Sequence, residues 1–189
     1  MSLSPSIRDK FATVGTVALG AALARRGLPG RRIDGLRPLA LSQDPLVGEA
    51  CTTIEHCRSG AVLILDAARP LPPMALLARR GVAGIVSAAP LREAAEIVRR
   101  GLPAYHRSSI TATPLPIAGG EVLVGDRQGV LVIPAHLANE IAEEAVEALA
   151  FEAFTAEQVD AGGGVYGLHI ASGEQARIAF AAWRKLKGR

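Results

Sequence analysis

The sequence predicts an α/β protein with a β-α-β-α-β parallel segment at its centre and a long helix towards its C-terminus. Three observations carry that reading. "AVLILD" (61–66) and "AGIVS" (83–87) are continuous apolar runs of strand length, as expected of strands covered on both faces. Short helical patterns alternate with them, and such alternation implies parallel strands joined by right-handed crossovers. Residues 135–159 then carry Leu137, Ile141, Ala145, Ala148 and Leu149 on one stripe, the mark of a long amphipathic helix.

Each element has a local cause. Residues 5–27 read as one or two short helices ending at the breaker Gly27, Pro29, Gly30. Residues 45–57, with β-branched Thr52, Thr53 and Ile54, read as strand. After the first buried strand, Pro72 and Pro73 open a short helix that Gly81 stops. After the second, Pro90 supplies a first-turn helix start, Leu91, Ala94, Ala95 and Val98 recur at helical spacing, and Gly101 ends the helix. Pro103 begins a third strand, "PAYH". "GEVLVGDRQGVLVIP" reads as two strands around Asp126-Arg127-Gln128-Gly129, where Asp first and Gly fourth suit a type I turn. Pro134 closes the second of these strands. "DAGGGVYGLHI" reads as a flexible or ligand-approaching loop, and a final helix starts at Ser172. With no repeat and no clear linker, a single domain over 1–189 is expected, its core at about 10–160 and a C-terminal loop and helix at 161–189.

Composition narrows the function classes. Of 189 residues, 49% are hydrophobic and only 4% aromatic, which suits helices packed closely on a sheet. The net charge is +3, and the basic residues come as scattered pairs such as Arg79-Arg80 and Arg99-Arg100, near helix ends where cations complement the dipole. No aromatic stacking motif accompanies them, so no nucleic-acid surface is expected. Cys51 and Cys57 are too far apart for a CxxC pair, and strand alternation would point Glu55 and His56 to opposite faces. Two reduced structural thiols in a cytoplasmic protein are the expectation. Arg8, Asp9 and Lys10 precede the first apolar stretch, unlike a signal peptide, and no run reaches the ~20 residues of a membrane span.

Few residues stand out for chemistry. Arg92-Glu93 follows the second buried strand. Glu93 in a helix's first turn suits the dipole, whereas Arg92 there does not, which leans towards a functional or ion-paired role for the arginine. Asp66 ends a buried strand, where ligands of α/β proteins bind, with helix capping as its alternative role. Asp126 reads as a turn-former. His106 and His169 each stand alone in sequence. Gly162-Gly163-Gly164 lacks the Lys-Ser/Thr of a phosphate loop.

"FATVGTVALGAALARRGLPGRRIDGLRPLA", "ARRGVAGIVSAAPLREAAEIVRRGLPAY" and "GGEVLVGDRQGVLVIPAHLANEIAEEA" resemble three successive blocks of the RraA-like family. That family includes 4-hydroxy-4-methyl-2-oxoglutarate aldolases and the regulator of ribonuclease E activity. "VGDRQGVLVIP" is the most specific block, similar to the family's GDxxGVxxxP. The resemblance implies a swivelling β/β/α domain and a homotrimer or hexamer with sites at subunit boundaries. It further implies a lyase in which Mg2+ or Mn2+ holds a small 2-oxo acid that is cleaved or decarboxylated to pyruvate, the cation stabilising the enolate. Arg92 falls on the family's catalytic, substrate-clamping arginine, and Glu93 on its metal-binding aspartate. Asp66 stands in for a second acidic group at the substrate. Two departures accompany the match. The segment "LDAARPLPPMALLARRG" is shorter than the family's glycine-rich loop, with no glycine before Gly81 and two prolines without amide hydrogens. Gly20-Ala21-Ala22 stands where the family has Asp-Ala-Leu. The same resemblance therefore supports a second reading, a non-catalytic binding or regulatory protein with a protein partner on the same oligomeric scaffold.

Overall fold

The computed structural model describes residues 3–28, 30–66, 69–109, 114–161 and 174–188. Helix α1 (Pro5–Arg25) begins at Ser4, whose hydroxyl accepts a hydrogen bond from the Ile7 amide at 3.3 Å, with Pro5 in the first turn where no N–H is needed. The helix breaks at Gly15, with φ 78° and ψ 167°, a conformation that glycine adopts without a Cβ penalty. The one or two short helices expected here are two segments meeting at that glycine.

Eight strands follow: β1 (Arg31–Arg32), β2 (Leu36–Pro38), β3 (Leu46–Cys51), β4 (Val62–Leu65), β5 (Gly84–Ser87), β6 (Ala104–Arg107), β7 (Val122–Asp126) and β8 (Gly129–Ile133). They form one sheet in the order β1-β8-β7-β3-β4-β5-β6-β2. β3, β4, β5 and β6 are mutually parallel, the last three as the sequence predicts and β3 in addition, and the remaining pairings are antiparallel. Helix α2 (Met74–Arg80) crosses from β4 to β5, and α3 (Ala94–Arg99) from β5 to β6. β1 and β2 occupy opposite edges of the sheet, yet only residues 33–35 separate them in the chain. Three residues span roughly 10 Å at most, so the sheet curls until its edges meet; the Ile33 amide, donating to the Val130 carbonyl at 2.9 Å, carries the β1–β8 pairing into the connection.

Curling gives the sheet an inside and an outside. Leu46, Val62, Val86, Tyr105, Leu123 and Val130, from six strands, fill the interior with Ile33 and Leu36. On one outer face, Phe11, Leu19 and Leu23 of α1 pack with Ile141, Ala142 and Ala145 against Val47, Val124 and Leu131. On the other, Leu77 of α2 and Ile97 of α3 cover Leu63, Leu65, Ile85 and Ala104. The parallel strands are therefore covered on both faces, which explains their unbroken apolar runs.

Three boundaries differ from the sequence expectation. β3 stops at Cys51, and Ile54–His56 form a 3-10 turn, with the Cys57 amide donating to the Ile54 carbonyl at 3.3 Å. The turn brings Cys57 back beside Cys51, whose thiol donates to the Thr53 carbonyl at 3.1 Å, instead of the two thiols alternating along a strand. Burial, helped by Cys51, pushes the Cys57 thiol up to about 12. α3 begins at Ala94 rather than at Pro90: the Ser87 hydroxyl binds both the amide and the carbonyl of Ala89, and Leu91 is drawn into the core, which holds 88–93 in turns. The long helix α4 (Ala138–Asp160) is preceded by a separate 3-10 turn at Ala135–Leu137.

Residues 1–145 make one compact unit and 146–189 a second. In the second, the C-terminal half of α4 pairs with α5 (Glu174–Lys187) through Phe151, Phe154, Phe180 and Trp183. Phe151 meets Phe180 edge-on at 5.3 Å between ring centroids, and the Trp183 indole N–H donates to Glu157 at 2.8 Å. The loop read at 160–170 and the helix start at Ser172 fall almost wholly outside the described residues. Among the described residues, no helix is long and apolar enough to cross a membrane.

Candidate functional site

β4 and β5 end side by side, with Leu65 in register with Ser87. Beyond their C-terminal ends lies a cavity of about 420 Å³, lined from the β4 side by Asp66, Arg69 and Leu71 and from the β5 side by Ser87, Arg92 and Glu93. Parallel strands place ligand sites at this end because the loops leaving adjacent strands diverge there. Asp66, Arg92 and Glu93, the three residues singled out in the sequence, thus line one cavity.

The local chain explains their exposure. Leu91 is buried against the α2/α3 layer, and Pro90 has no amide to contribute to a helix. Anchored at Leu91, the turn leaves Arg92 and Glu93 exposed at the cavity's lip. Among the described residues neither side chain has an ion-pair or hydrogen-bond partner, and Glu93 does not cap α3 with its carboxylate. Across the cavity, Arg69 Nε lies 3.3 Å from Asp66 Oδ2, and Arg69 Nη1 donates to the Thr52 carbonyl at 2.6 Å. Arg69 escaped the sequence reading. Its signal was a basic residue three positions after an acidic strand end, easily taken for an ordinary surface pair.

The site offers two cationic forks and two carboxylates within a partly apolar wall. Guanidinium groups match carboxylate oxygens in pairs. Asp66 and Glu93 are oxygen donors of the kind magnesium takes one or two at a time, with water filling its remaining positions. That donor set fits a hydrated Mg2+ or Mn2+ ion. It does not fit a fully protein-ligated cage, since no group of three or more His, Cys, Asp or Glu side chains comes together among the described residues.

The other sequence candidates lie apart from these contacts. Asp126 ends β7 and is consumed structurally: Oδ2 accepts the Thr16 amide at 2.7 Å, and Oδ1 accepts the Thr16 hydroxyl at 2.9 Å and the Gln128 amide at 2.8 Å. Its carbonyl accepts the Tyr105 hydroxyl at 3.0 Å. Burial pushes that hydroxyl's pKa up to about 12, opposed by the nearby Gln43 side chain and assisted by the charge of Asp126. Gly125 is required beside the ring, since a Cβ there would sit 2.8 Å from Tyr105. His106 pairs in register with Ser87, on the β6 side, and its Nδ1 is buried without a hydrogen-bond partner among the described residues. His169 and Gly162-Gly163-Gly164 lie outside the described residues.

By sequence, the chain matches no family model and no curated protein. By structure, it is similar to an uncharacterised protein from Pseudomonas syringae pv. tomato str. DC3000, at 18% identity and a TM-score of 0.67, over 90% of this chain and 100% of that one. It is similar to RraAS2 of Streptomyces coelicolor, described as an unusual member of the RNase ES inhibitor RraA protein family, at 20% identity and a TM-score of 0.65, over 82% of this chain and 98% of that one. A structure reported among novel cellulases from microbes of the gut ecosystem matches at 15% identity and a TM-score of 0.66, over 79% of this chain and 87% of that one. At these identities the likeness concerns the fold, and the fold is RraA-like.

Proposed function

We propose that the cavity beyond β4 and β5 binds a small 2-oxo acid and that the protein is a divalent-metal-dependent lyase releasing pyruvate, by retro-aldol cleavage or decarboxylation. The observation that supports this most is Arg92, exposed and without an ion-pair partner among the described residues, beside a cavity that also holds Asp66 and Glu93. Arg92 grips the substrate carboxylate through its two-pronged guanidinium, which fixes the bond to be broken relative to the cavity wall. Arg69, steadied by Asp66 and Thr52, adds positive potential from the opposite side. Leu71, Pro90 and Leu91 form an apolar wall that limits water around the reacting carbons. Glu93 with Asp66 would hold Mg2+ or Mn2+, which when bound supplies Lewis acidity to the enolate oxygen. A trimer or hexamer, as the family resemblance implies, is part of this reading.

A second reading, a non-catalytic binding or regulatory protein with a protein partner, is favoured by one observation: Asp66 is engaged by Arg69, which reduces the donors open to a metal. One experiment separates the two. Purified protein is incubated with oxaloacetate and with 4-hydroxy-4-methyl-2-oxoglutarate, in magnesium, in manganese and in chelator, while pyruvate is followed. Metal-dependent pyruvate release is expected. No release, together with no magnesium or manganese binding by calorimetry, would rule out the lyase and leave the binding reading.

A further inference from the structure

We propose that Cys51 and Cys57 are a site of reversible oxidation, at which a peroxide joins them in a disulfide within the chain and so loosens the anchor of Arg69 at the cavity. Cys51 is the last residue of β3, held by its pairing with Leu63 of β4. Cys57 follows the 3-10 turn at Ile54–His56, and its amide closes that turn on the Ile54 carbonyl. On an extended strand the two would stand about 20 Å apart. The turn instead sends both side chains into the layer beneath α2 and α3, with Ile54, Leu63 and Leu77. There they are close enough for Cys51 to strengthen the hold of Cys57 on its proton.

Their surroundings divide the work. Cys57 is 4% exposed, and its thiol, pushed up to about 12, does not meet an oxidant as thiolate. Cys51 is half-buried, and its thiol donates to the Thr53 carbonyl at 3.1 Å. It is the sulfur that a small peroxide reaches. With hydrogen peroxide, the Cys51 sulfur attacks the O–O bond and takes one oxygen as a sulfenic acid, while the other oxygen leaves as water. The Cys57 sulfur then displaces the hydroxyl from Cys51. The S–S bond forms, the Cys57 proton leaves with that hydroxyl, and a second water is released. Two thiols lose two electrons and one peroxide gains them. Contact between the sulfurs makes the second step intramolecular, and a thiol reductant reverses the bond.

The stretch that this bond closes also supports the cavity. The Thr52 carbonyl accepts Arg69 Nη1 at 2.6 Å, and Arg69 Nε lies 3.3 Å from Asp66 Oδ2. Pairing with β4 and β7 fixes β3, and the core fixes Cys57. A covalent bond draws the sulfurs closer than two thiols in contact and ends the hydrogen bond from Cys51 to Thr53. The change falls on the residues between, of which Thr52, Glu55 and His56 are exposed and free to shift. Thr52, next to Cys51, therefore carries the oxidation state to a guanidinium of the cavity.

The test reads the chain itself and needs no turnover, so its outcome is separate from that of the lyase assay. The full-length protein is treated with hydrogen peroxide and then with dithiothreitol, and mass spectrometry follows the intact chain and the peptide holding both cysteines. Phenylglyoxal adducts at Arg69 and Arg92 are timed in each state. Oxidation is expected to remove two hydrogens from that peptide, and dithiothreitol to restore them. Arg69 reacts severalfold faster in the oxidised chain, while Arg92, which has no such anchor, reacts at one rate in both. Cys51→Ser, at the half-buried position, abolishes both changes. Cys57→Ala leaves a sulfenic acid on Cys51 that dimedone captures, with Arg69 unchanged. Circular dichroism checks that each variant is folded, and Cys51→Ser carries the test should Cys57→Ala fail to fold. A wild-type chain that loses no hydrogens, a disulfide between two chains instead of within one, or an Arg69 rate that ignores the oxidation state overturns the proposal.

Discussion

Asp126 and the Arg92-Glu93 pair are both charged groups at strand ends, and they are employed in opposite ways. Asp126 commits both carboxylate oxygens and its carbonyl to Thr16, Gln128 and Tyr105, joining α1, the β7–β8 turn and β6. Arg92 and Glu93 are exposed on a cavity and commit nothing to the rest of the described chain. Charge at a strand end is therefore ambiguous by itself. What distinguishes framework from chemistry is whether neighbouring backbone already satisfies the group.

The strongest way to break this contrast is Asp126→Ala. It strips three donors of their acceptor, two of them on Thr16, which is fully buried, and should destabilise the fold by about 3 kcal/mol in a urea titration. A loss no larger than that of an exposed substitution would show that Asp126 is not the joint described here. A comparable effect, shared between two groups, should come from alkali. Tyr105 and Cys57 both have folded pKa values near 12, above their ordinary 10.0 and 9.0. The unfolded chain therefore releases these protons first, so their stabilisation is complete below about pH 9 and drains away as pH rises towards 12. Stability should fall by on the order of 2 kcal/mol per group across that window, and ultraviolet titration should find Tyr105 ionising well after the exposed phenol of a model peptide. The smallest change in stability is expected at Arg92→Ala, within about 0.5 kcal/mol of wild type, together with loss of any pyruvate-releasing activity. Retained turnover would separate Arg92 from the chemistry, and a large loss of stability would place it with Asp126.

How much of this could be read from the chain depends on range. The apolar runs at 61–66 and 83–87 and the turn at Asp126 are local signals, and each became the element expected. β1 and β2 were invisible because "RR" and "LRP" have no strand pattern of their own; their pairing is imposed by β8 and β6. The turn at 54–56 was hidden by β-branched residues whose strand preference is overridden once Cys57 enters the core. At the site, the family resemblance and the strand-end rule pointed to Asp66, Arg92 and Glu93 separately. Their meeting in one cavity, with Arg69 added, needed β4 and β5 in register, which no single segment encodes.

The short stretch joining β1 to β2 has a consequence for how the molecule is made. Arg31 pairs with Val132 and Leu36 with Arg107, so neither partner has been synthesised when this stretch leaves the ribosome. It has nothing to bind until β6 and β8, about 70 and 100 residues further on, are in place, and local preference gives it no structure meanwhile. Contacts of such long sequence separation are reached late and slowly, which makes closure of the curled sheet a step that must wait for β8.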